Sequence, residues 1–377
     1  MYNNNLSFGK DGKFRIMQVA DVQEGAKVSP DTIRLLTKAI EREKPDLAVF
    51  TGDQLYGIHP SFYFGDKIKN AERTMKEIIS PFEKAGIPFA VTFGNHDCQV
   101  GLSNAEQADF YKSSPFYVGG DFADENDKGT YRVPLFDDGR HIFDIFLIDS
   151  NGQTVSGEYL PVSEKQLEWF ISEREKAKEN GEYTKGIVFQ HIPVPEFFNV
   201  LKEVRFGTKG AVEAFRTMKG KFFILPEEIR NNGGFMGESP AIPDRNSGEF
   251  SVLSEKGNIL ALAVGHDHIN SFVAPYKNMK LIYTQCAGFN VYGPKKKRGV
   301  RMFKLDKNDL SDFRTYTVTY EELTDEKLSA PVGEFILTHI PTSMEQVKRL
   351  AVIAAAGGCA VLGTAAAVYF SMHKRIK

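Results

Sequence analysis

The sequence predicts an α/β fold completed by antiparallel strands and followed by a C-terminal transmembrane helix. Short apolar runs end repeatedly at polar or glycine-rich turns, and helical stretches separate the early runs, which is typical of α/β proteins. The membrane helix is predicted from an uncharged run of 23 residues, 350–372. The 377 residues, 42% hydrophobic and 25% charged, have ordinary globular composition and enough length for a sizeable core.

Nine apolar runs are candidate strands, and those in the stretch 259–319 follow one another closely enough to suggest an antiparallel completion of the sheet. The nine runs are Phe14–Ala20, Leu47–Thr51, Phe89–Phe93, Ile142–Ile148, Gly186–Gln190, Ile259–Val264, Lys280–Thr284, Val300–Leu305 and Phe313–Thr319.

Two helix starts are marked by their caps. Ser29 precedes Pro30, which predicts a helix from there to about Glu43, and Ser163-Glu-Lys-Gln166 has the spacing of a capping box. The second helix is expected to extend to about residue 178.

The chain is expected to consist of a globular domain (1–319), a connector (320–347) and a membrane anchor (348–377). As a helix, residues 350–372 would be roughly 34 Å long, enough to cross a hydrocarbon core of about 30 Å. Basic residues flank the run on both sides. The alternative is a buried or interfacial alanine-rich helix. Because the N-terminus has no apolar signal region, we expect a single-pass C-terminal anchor with the globular domain in the cytosol.

Charge and cysteine content exclude several classes of protein. The formal net charge is −2, but residues 1–347 carry 42 basic and 49 acidic side chains, a charge of −7. Such a domain is not expected to bind nucleic acid through a general basic surface. Three cysteines, Cys98, Cys286 and Cys359, are too few and too scattered for a disulfide framework or a cysteine zinc site. Reduced thiols in the cytosol are the simplest interpretation.

Five candidate strands end in polar residues that are suited to binding metal. The carboxyl ends of strands in an open α/β sheet lie at one edge, so these five loops are expected to converge there. Carboxylate, amide and imidazole ligands together favour Zn, Fe or Mn over Ca. The loops contain Asp21, then Asp53, then Asn95-His96-Asp97, then His191, and finally His266-Asp267-His268.

In their order and spacing, these blocks resemble those of the calcineurin-like metallophosphoesterases. The blocks are Asp21-Val-Gln23, Gly52-Asp53, Gly94-Asn-His-Asp97, Gln190-His191 and Gly265-His-Asp-His268, and the resemblance covers about residues 14–305. The stretches HIPVPE (191–196), NSGEF (246–250) and GHDHIN (265–270) are similar to a purple-acid-phosphatase-like subgroup. The resemblance implies a two-sheet β-sandwich flanked by helices.

The resemblance also implies two metal ions, divalent or of mixed valence, and hydrolysis of phosphate esters by a metal-bound hydroxide. By that likeness, the first ion is held by Asp21 and His268, both ions are bridged by Asp53, and the second ion is held by Asn95, His191 and His266. His96 would protonate the leaving group, and Asp97 would orient or charge the ring of His96. The expected substrate is a phosphorylated small molecule, lipid headgroup or protein.

One position departs from the commoner family pattern, which has histidine where this chain has Gln23. Purple acid phosphatases lack that histidine too, and use a tyrosine three residues after the second block's aspartate. Tyr56 stands at that spacing from Asp53. A Tyr56 phenolate would make the first ion Fe(III). In the alternative, Tyr56 only packs in its loop, and Gln23 supplies an oxygen or nothing.

Two other functions stay open at the level of the sequence. One is a nuclease of the same superfamily, which the charge of residues 1–347 disfavours. The other is a membrane-anchored, non-catalytic scaffold with a degenerate metal site, which Gln23 keeps open. A basic run, Lys295-Lys-Lys-Arg298, is interpreted as a solvated loop, with contact to anionic headgroups as the alternative.

Overall fold

The computed structural model describes residues 6–120, 122–154 and 156–339, which contain eighteen strands and eight α-helices. The strands are β1 Leu6–Ser7, β2 Lys13–Val19, β3 Leu47–Thr51, β4 Phe89–Thr92, β5 Tyr131–Asp137, β6 Arg140–Leu147, β7 Lys178–Glu179, β8 Glu182–Tyr183, β9 Lys185–Phe189, β10 Lys202–Val204, β11 Val212–Glu213, β12 Phe222–Ile224, β13 Phe235–Met236, β14 Ile259–Val264, β15 Asn270–Tyr276, β16 Met279–Tyr283, β17 Gly299–Asp306 and β18 Asp309–Thr319. The helices are α1 Pro30–Glu43, α2 Lys67–Ala85, α3 Asn104–Tyr111, α4 Glu164–Lys176, α5 Glu227–Asn231, α6 Glu249–Ser254, α7 Tyr320–Leu323 and α8 Pro331–His339.

A five-stranded sheet has the order β18-β17-β2-β3-β4. Strands β2, β3 and β4 are parallel, with α1 and α2 as their connections, while β17 pairs antiparallel with both β2 and β18. This arrangement confirms the predicted α/β start and its antiparallel completion. The cap of α1 is as predicted, since Ser29 precedes the helix and its side chain accepts a hydrogen bond from the backbone N–H of Asp31.

An eight-stranded sheet has the order β1-β5-β6-β9-β14-β16-β15-β13. Its central strands β6, β9, β14 and β16 are parallel, and β5 and β15 pair antiparallel with β6 and β16. The sequence analysis did not identify β5 and β15, each of which contains a proline, at Pro134 and Pro275. Proline breaks the apolar pattern and cannot donate to a ladder, so sequence patterns place it at the margins of sheets.

The core lies in three layers, which explains why the central strands are continuous apolar runs. Ile16 of β2 and Ile187 of β9 belong to the cluster between the two sheets. Their neighbours in sequence point to the opposite faces: Met17 packs with α1 and α2, and Val188 packs with α4 and α6. Strands covered on both faces cannot show polar alternation. The structure is therefore a mixed α/β sandwich of two sheets with helices outside.

A small three-stranded sheet, ordered β10-β12-β11, follows β9 in the chain and is separate from the two large sheets. We call residues 202–224 the lobe. Its own core cluster contains Phe198, Ala214 and Phe223. Its strands have only two or three residues, which is too short to give a periodic signal, and the sequence analysis did not identify it.

The chain divides into two compact units after Ser329. Within the second unit, the described residues 330–339 contain α8. Among the helices in the described ranges, none is both long enough and apolar enough to cross a bilayer. The predicted span, residues 350–372, lies outside the described residues, so the anchor stays a prediction, as does the division of the chain at residue 319.

Candidate metal centre

The predicted ligands all lie in loops that leave the carboxyl ends of strands, at the edge where the two sheets meet. Six of them are buried, with no more than 8% of their surface exposed, whereas the conditional ligand Tyr56, in the loop after β3, is partly exposed. Three of these residues have left-handed backbone conformations, with φ of 51° at Asp21, 53° at Asp53 and 74° at His266. Such conformations are costly for residues other than glycine and cluster at functional sites. The predicted ligands are Asp21 after β2, Asp53 after β3, Asn95 after β4, His191 after β9, and His266 and His268 after β14.

The ligands assigned to the second ion converge on one ring nitrogen. Nε2 of His191 lies 3.3 Å from Oδ2 of Asp53 and 3.2 Å from Oδ1 of Asn95. The same nitrogen lies 3.1 Å from Nδ1 of His266. One ligand atom from each of Asp53, His191 and His266 can be chosen so that all three lie within 4.8 Å of one another. Asp53 and Asn95 follow strands of the five-stranded sheet, and the two histidines follow strands of the eight-stranded sheet. The predicted ligands therefore converge from both sheets of the sandwich.

The partners of two histidines leave the other ring nitrogen free to bind metal. Nδ1 of His191 lies 3.0 Å from the carbonyl oxygen of Thr51, and Nδ1 of His268 lies 2.9 Å from that of Tyr292. A carbonyl oxygen only accepts, so each Nδ1 carries the proton and donates. Nε2 is then the ligating atom, which is how second partners orient metal-binding histidines. The Tyr292 ring also stacks on His268, with centroids 4.2 Å apart.

The first-ion set centres on Asp21, whose two oxygens differ. Oδ2 accepts a hydrogen bond of 2.9 Å from the backbone N–H of His266. Oδ1 lies 3.5 Å from Nε2 of His268 and has no hydrogen-bond partner among the described residues. Nε2 of His266 is likewise buried without a hydrogen-bond partner in the described chain. A buried polar atom without a hydrogen-bond partner lowers the stability of the fold. Binding of a metal ion would give Oδ1 of Asp21 and Nε2 of His266 the partner that each lacks.

The electrostatics of the centre favour cations. Burial lowers the pKa of His266 well below its usual value and that of His268 to about 3, so both rings are neutral ligands. Burial also acts to lower the pKa of His191, but the charges of Asp53 and Asp21 outweigh it and raise that pKa to about 10. A proton on His191 thus balances the carboxylates, and a metal ion can replace it.

The two carboxylates at the centre have opposite pKa shifts. Burial acts to raise the pKa of Asp53, but the charges of His191 and His96 and hydrogen bonds from both outweigh it and lower the pKa. Burial raises the pKa of Asp21 to about 8, against the opposing charge of His191. Asp53 is therefore ionised throughout the physiological range, as a bridging ligand requires.

Two glycines let the loops approach closely. A Cβ on Gly94 would lie 2.2 Å from Oδ1 of Asp53, so any side chain there would displace the carboxylate. Gly52 has a φ of 89°, and a Cβ there would lie 2.8 Å from the His191 ring. The Gly-Asp and Gly-Asn pairs that also occur in ordinary turns are here required by packing around the ligands.

The structure corrects the role predicted for Asp97. Its Oδ2 accepts 2.8 Å hydrogen bonds from the backbone N–H groups of Asp53 and Gly94, and its Oδ1 accepts one of 2.9 Å from Leu55. Both oxygens thus bind backbone, because the carboxylate points into the loops and not toward the His96 ring. Asp97 joins the second and third metal-binding loops to each other.

The His96 ring is held by Gln99 instead. Nδ1 of His96 lies 2.7 Å from Oε1 of Gln99, an oxygen that only accepts, so Nδ1 donates. The backbone N–H of His96 donates to Oδ1 of Asp53 at 2.8 Å. His96 is partly exposed, unlike the predicted ligands. Gln99 was missed at the sequence level, where the i, i+3 spacing from His96 was the only available signal.

Gln23 and Tyr56 both lie beside the centre. Nε2 of Gln23 donates a 2.6 Å hydrogen bond to Oδ2 of Asp53, so the glutamine contacts the carboxylate that is predicted to bridge the ions. The Tyr56 ring packs edge-on against the His96 ring, with centroids 5.3 Å apart. Burial, and then the charge of Asp53, raise the pKa of Tyr56. Ligation by a Tyr56 phenolate stays a prediction.

Two further side chains at the centre had no sequence signal. The Tyr159 ring lies edge-on to His266, with centroids 4.9 Å apart. Arg216 places its guanidinium 5.6 Å from the centre of the Tyr159 ring and donates from Nε to Oδ1 of Asp244 at 2.9 Å. Both residues come from loops with no motif, and only the tertiary structure brings them to His266.

Comparison with known proteins assigns the chain to a family. Residues 14–270 match the calcineurin-like phosphoesterase family, and the chain belongs to that family. Two similar proteins are from Arabidopsis thaliana. "Probable inactive purple acid phosphatase 14" is 26% identical over 76% of this chain and 74% of its own length, and "Probable inactive purple acid phosphatase 28" is 28% identical over 87% and 84%. The crystal structure of a dimetal phosphatase from Danio rerio is 13% identical, with a TM-score of 0.45 over 81% of this chain and 98% of that one.

Proposed function

We propose that this protein is a metal-dependent phosphoric ester hydrolase that uses two ions. The observation that carries the proposal is the convergence of Asp53, His191 and His266 on one buried point, beside acceptor atoms that have no other partner among the described residues. The donor set of carboxylates, an amide and imidazoles suits Zn, Fe or Mn. Family membership supports the same class of reaction.

Each residue has a defined part in the proposal. Asp21 and His268 would hold one ion, Asn95, His191 and His266 the other, and Asp53 both. When bound, the ions supply positive charge to the phosphate and make water more acidic. Because Gln99 holds the Nδ1–H of His96, the proton for the departing oxygen of the ester would come from Nε2 of the cationic ring, which would leave a neutral ring protonated at Nδ1.

Metal content and activity test the first part of the proposal. Wild-type protein should carry two ions per chain and hydrolyse at least one member of a panel of phosphomonoesters, phosphodiesters and phospholipids with Mn, Zn or Fe. Asp53→Asn should lose at least one ion and nearly all activity while its circular dichroism spectrum stays unchanged. Full metal occupancy with normal turnover in Asp53→Asn would overturn the assignment.

Leaving-group dependence tests the second part. His96→Asn should keep both ions but lose rate, because the departing oxygen no longer receives a proton. The loss should be about 10²-fold or more for alkyl phosphates, whose leaving groups are poor, and much smaller for activated aryl phosphates. Equal losses for both kinds of ester would exclude His96 as the general acid.

A non-catalytic scaffold is the second candidate. Two observations favour it: the two Arabidopsis thaliana proteins are named as probably inactive, and Gln23 stands where the commoner pattern has a ligand and instead donates to Asp53. Gln23→His tests this directly. A degenerate site should gain metal occupancy from the added imidazole, whereas a complete site should show no gain in ions bound per chain.

The proposal includes attachment to a membrane through residues 350–372, with the catalytic domain in the cytosol, and this part rests on the sequence alone. Deletion of residues 348–377 should release a soluble protein with its phosphatase activity intact. Full-length protein that fractionates as soluble without detergent would contradict the anchor. Digestion of the catalytic domain by protease added outside intact cells would reverse the orientation.

A further inference from the structure

Three phenylalanines, Phe206, Phe215 and Phe222, lie at one end of the lobe. Val204, the last residue of β10, and Glu213, the last residue of β11, are both paired with Phe222 of β12. The chain therefore leaves β10 and β11 at the same end of the small sheet. Phe206 follows β10 and Phe215 follows β11, so both lie at this end, and the Phe206 and Phe222 rings are 5.3 Å apart.

This aromatic end adjoins the metal centre. The Phe215 ring lies 6.5 Å from the Tyr159 ring, and the Tyr159 ring lies 4.9 Å from that of His266. Arg216 donates from its guanidinium to the carbonyl oxygen of Gly157 at 2.6 Å, which ties the lobe to the loop that carries Tyr159. Two ring contacts thus separate an aromatic side chain at the end of the lobe from a predicted metal ligand.

The tip of the lobe, residues 205–210, is a turn in which every residue is exposed. Phe206 is 78% exposed although it is a large apolar side chain. Gly207 and Gly210, which follow Phe206 in the turn, have left-handed φ values of 82° and 77°, and a Cβ built on either glycine would meet nothing within 4 Å. An exposed phenylalanine on a turn surrounded by open space contributes nothing to the core, so its apolar surface is available to a partner.

The charge of the lobe is opposite to that of the remaining domain. Residues 202–224 contain six basic and two acidic side chains, whereas residues 1–347 as a whole carry −7. Arg205 and Lys209, which flank the exposed ring of Phe206, are themselves exposed. A phenylalanine between cations is complementary to a surface that is negative outside and apolar beneath, as an anionic lipid bilayer is.

We propose that the tip, with Phe215 beside it, binds an anionic bilayer, and that the substrates are phosphate esters on lipid headgroups in that bilayer. The substrate half rests on the proposed function, while the binding half does not. A bilayer fits better than an acidic protein because the tip presents a 78% exposed apolar ring together with two exposed cations, and the apolar interior of a bilayer can bury that ring. The uncharged run 350–372 independently predicts that this chain is attached to a membrane.

Fluorescence quenching in the full-length chain tests the binding half. Phe206→Trp places a reporter at the tip, and Ile171→Trp places a matched reporter on α4, where Ile171 is 38% exposed. The single native tryptophan, Trp169, contributes equally to both variants. With vesicles of brominated phosphatidylcholine and phosphatidylserine, only the tip reporter should be quenched. Vesicles without phosphatidylserine should quench it much less.

Charge reversal separates tip binding from any contribution of the C-terminal run. Adding Arg205→Glu and Lys209→Glu to Phe206→Trp should reduce quenching at a given lipid concentration at least about tenfold. Equal quenching of the tip and α4 reporters, or quenching that survives the reversal, would overturn the proposal. So would a blue shift of the tip reporter with polyglutamate but not with vesicles, because that result would indicate an acidic protein partner.

Turnover tests the substrate half. The double charge reversal in the otherwise wild-type chain should lower kcat/KM for a phospholipid in anionic vesicles by about tenfold and leave kcat/KM for a soluble aryl phosphate unchanged. An equal loss on both substrates would overturn the lipid assignment. Quenching at the tip without hydrolysis of any ester would retain the binding half and contradict the proposed function, so the two failures are distinguishable.

Discussion

At the scale of single residues, two side chains of the candidate loop after β4 have different roles: one holds the backbone of neighbouring loops, and the other holds the His96 ring. Asp97 holds three backbone N–H groups, and Gln99 holds the His96 ring. Asp97→Ala should lower the free energy of unfolding by about 3 kcal/mol, because three buried donors lose their acceptor. Gln99→Leu should cost less than about 1 kcal/mol and instead lower turnover of esters with poor leaving groups. Urea unfolding and steady-state kinetics on both variants measure the contrast, and the reverse pattern would contradict it.

Glu249, at the start of α6, gives a residue-scale prediction about pH. Burial raises its pKa to about 8, against a hydrogen bond from Gln190. A carboxyl with a raised pKa contributes stability that is complete below its unfolded value, near 4.5, and is lost as the pH rises through about 8. Glu249→Gln should therefore leave stability at pH 4.5 nearly unchanged and raise it at pH 8 by up to about 4 kcal/mol. Denaturant unfolding at the two pH values measures this, and an equal effect at both would exclude it.

At the scale of elements, α4 shows what a local motif can and cannot predict. The capping box of Ser163 and Gln166 is present as expected. The sequence did not reveal that Gln166 also donates from Nε2 to the carbonyl oxygen of Asp149 at 2.6 Å, and accepts from Nδ2 of Asn151 at 3.1 Å. Those residues are separated from Gln166 by 15 or more positions, and only the packing of α4 on its sheet brings them together.

A comparison of two α4 variants makes that difference measurable. Ser163→Ala removes only the cap and should cost about 1 kcal/mol of unfolding free energy. Gln166→Leu should cost about 3 kcal/mol, because buried groups in the loop of Asp149 to Asn151 lose their partners. Thermal and urea unfolding of the two variants give the values. A larger loss in Ser163→Ala would mean that Gln166 does not hold the loop.

Local sequence patterns do not show long-range contacts, and this explains which elements could be predicted. All nine predicted strands are present, and those buried on both faces, such as β3 and β14, are continuous apolar runs. The strands of the lobe have two or three residues, which is too short for an alternating pattern of apolar and polar residues to be visible in the sequence.

At the metal centre, the sequence predicted residues with recognisable spacing. It missed Tyr159 and Gln99 and misassigned the contact of Asp97, because side-chain direction depends on the tertiary structure.

At the scale of the whole molecule, the candidate ligands connect the two sheets of the sandwich. Asp21, Asp53 and Asn95 follow strands of the five-stranded sheet, while His191 and His266 follow strands of the eight-stranded sheet. Ions that bind this set would therefore bind the folded sandwich and not the unfolded chain. Such a ligand raises stability by about 2.7 kcal/mol when its free concentration is 100 times its Kd.

Metal binding at this junction should depend on pH in a defined direction. Without metal, the pKa of His191 is raised to about 10 and that of Asp21 to about 8, so both hold a proton at neutral pH. A cation must displace those protons, so its apparent affinity should rise by up to about tenfold per pH unit for each proton released. The rise in melting temperature on adding Mn or Zn to chelator-treated protein should thus be larger at pH 8 than at pH 6.

The control for this effect is Asp53→Asn, which removes the carboxylate proposed to bridge the ions and should show little metal-induced stabilisation at either pH. Calorimetric titration in buffers of different ionisation enthalpy counts the protons released from the wild type, and we expect about two per chain near pH 7. Stabilisation that is equal at pH 6 and pH 8, with no proton release, would mean that the metals bind away from His191 and Asp21. The two sheets would then be held together without the ions.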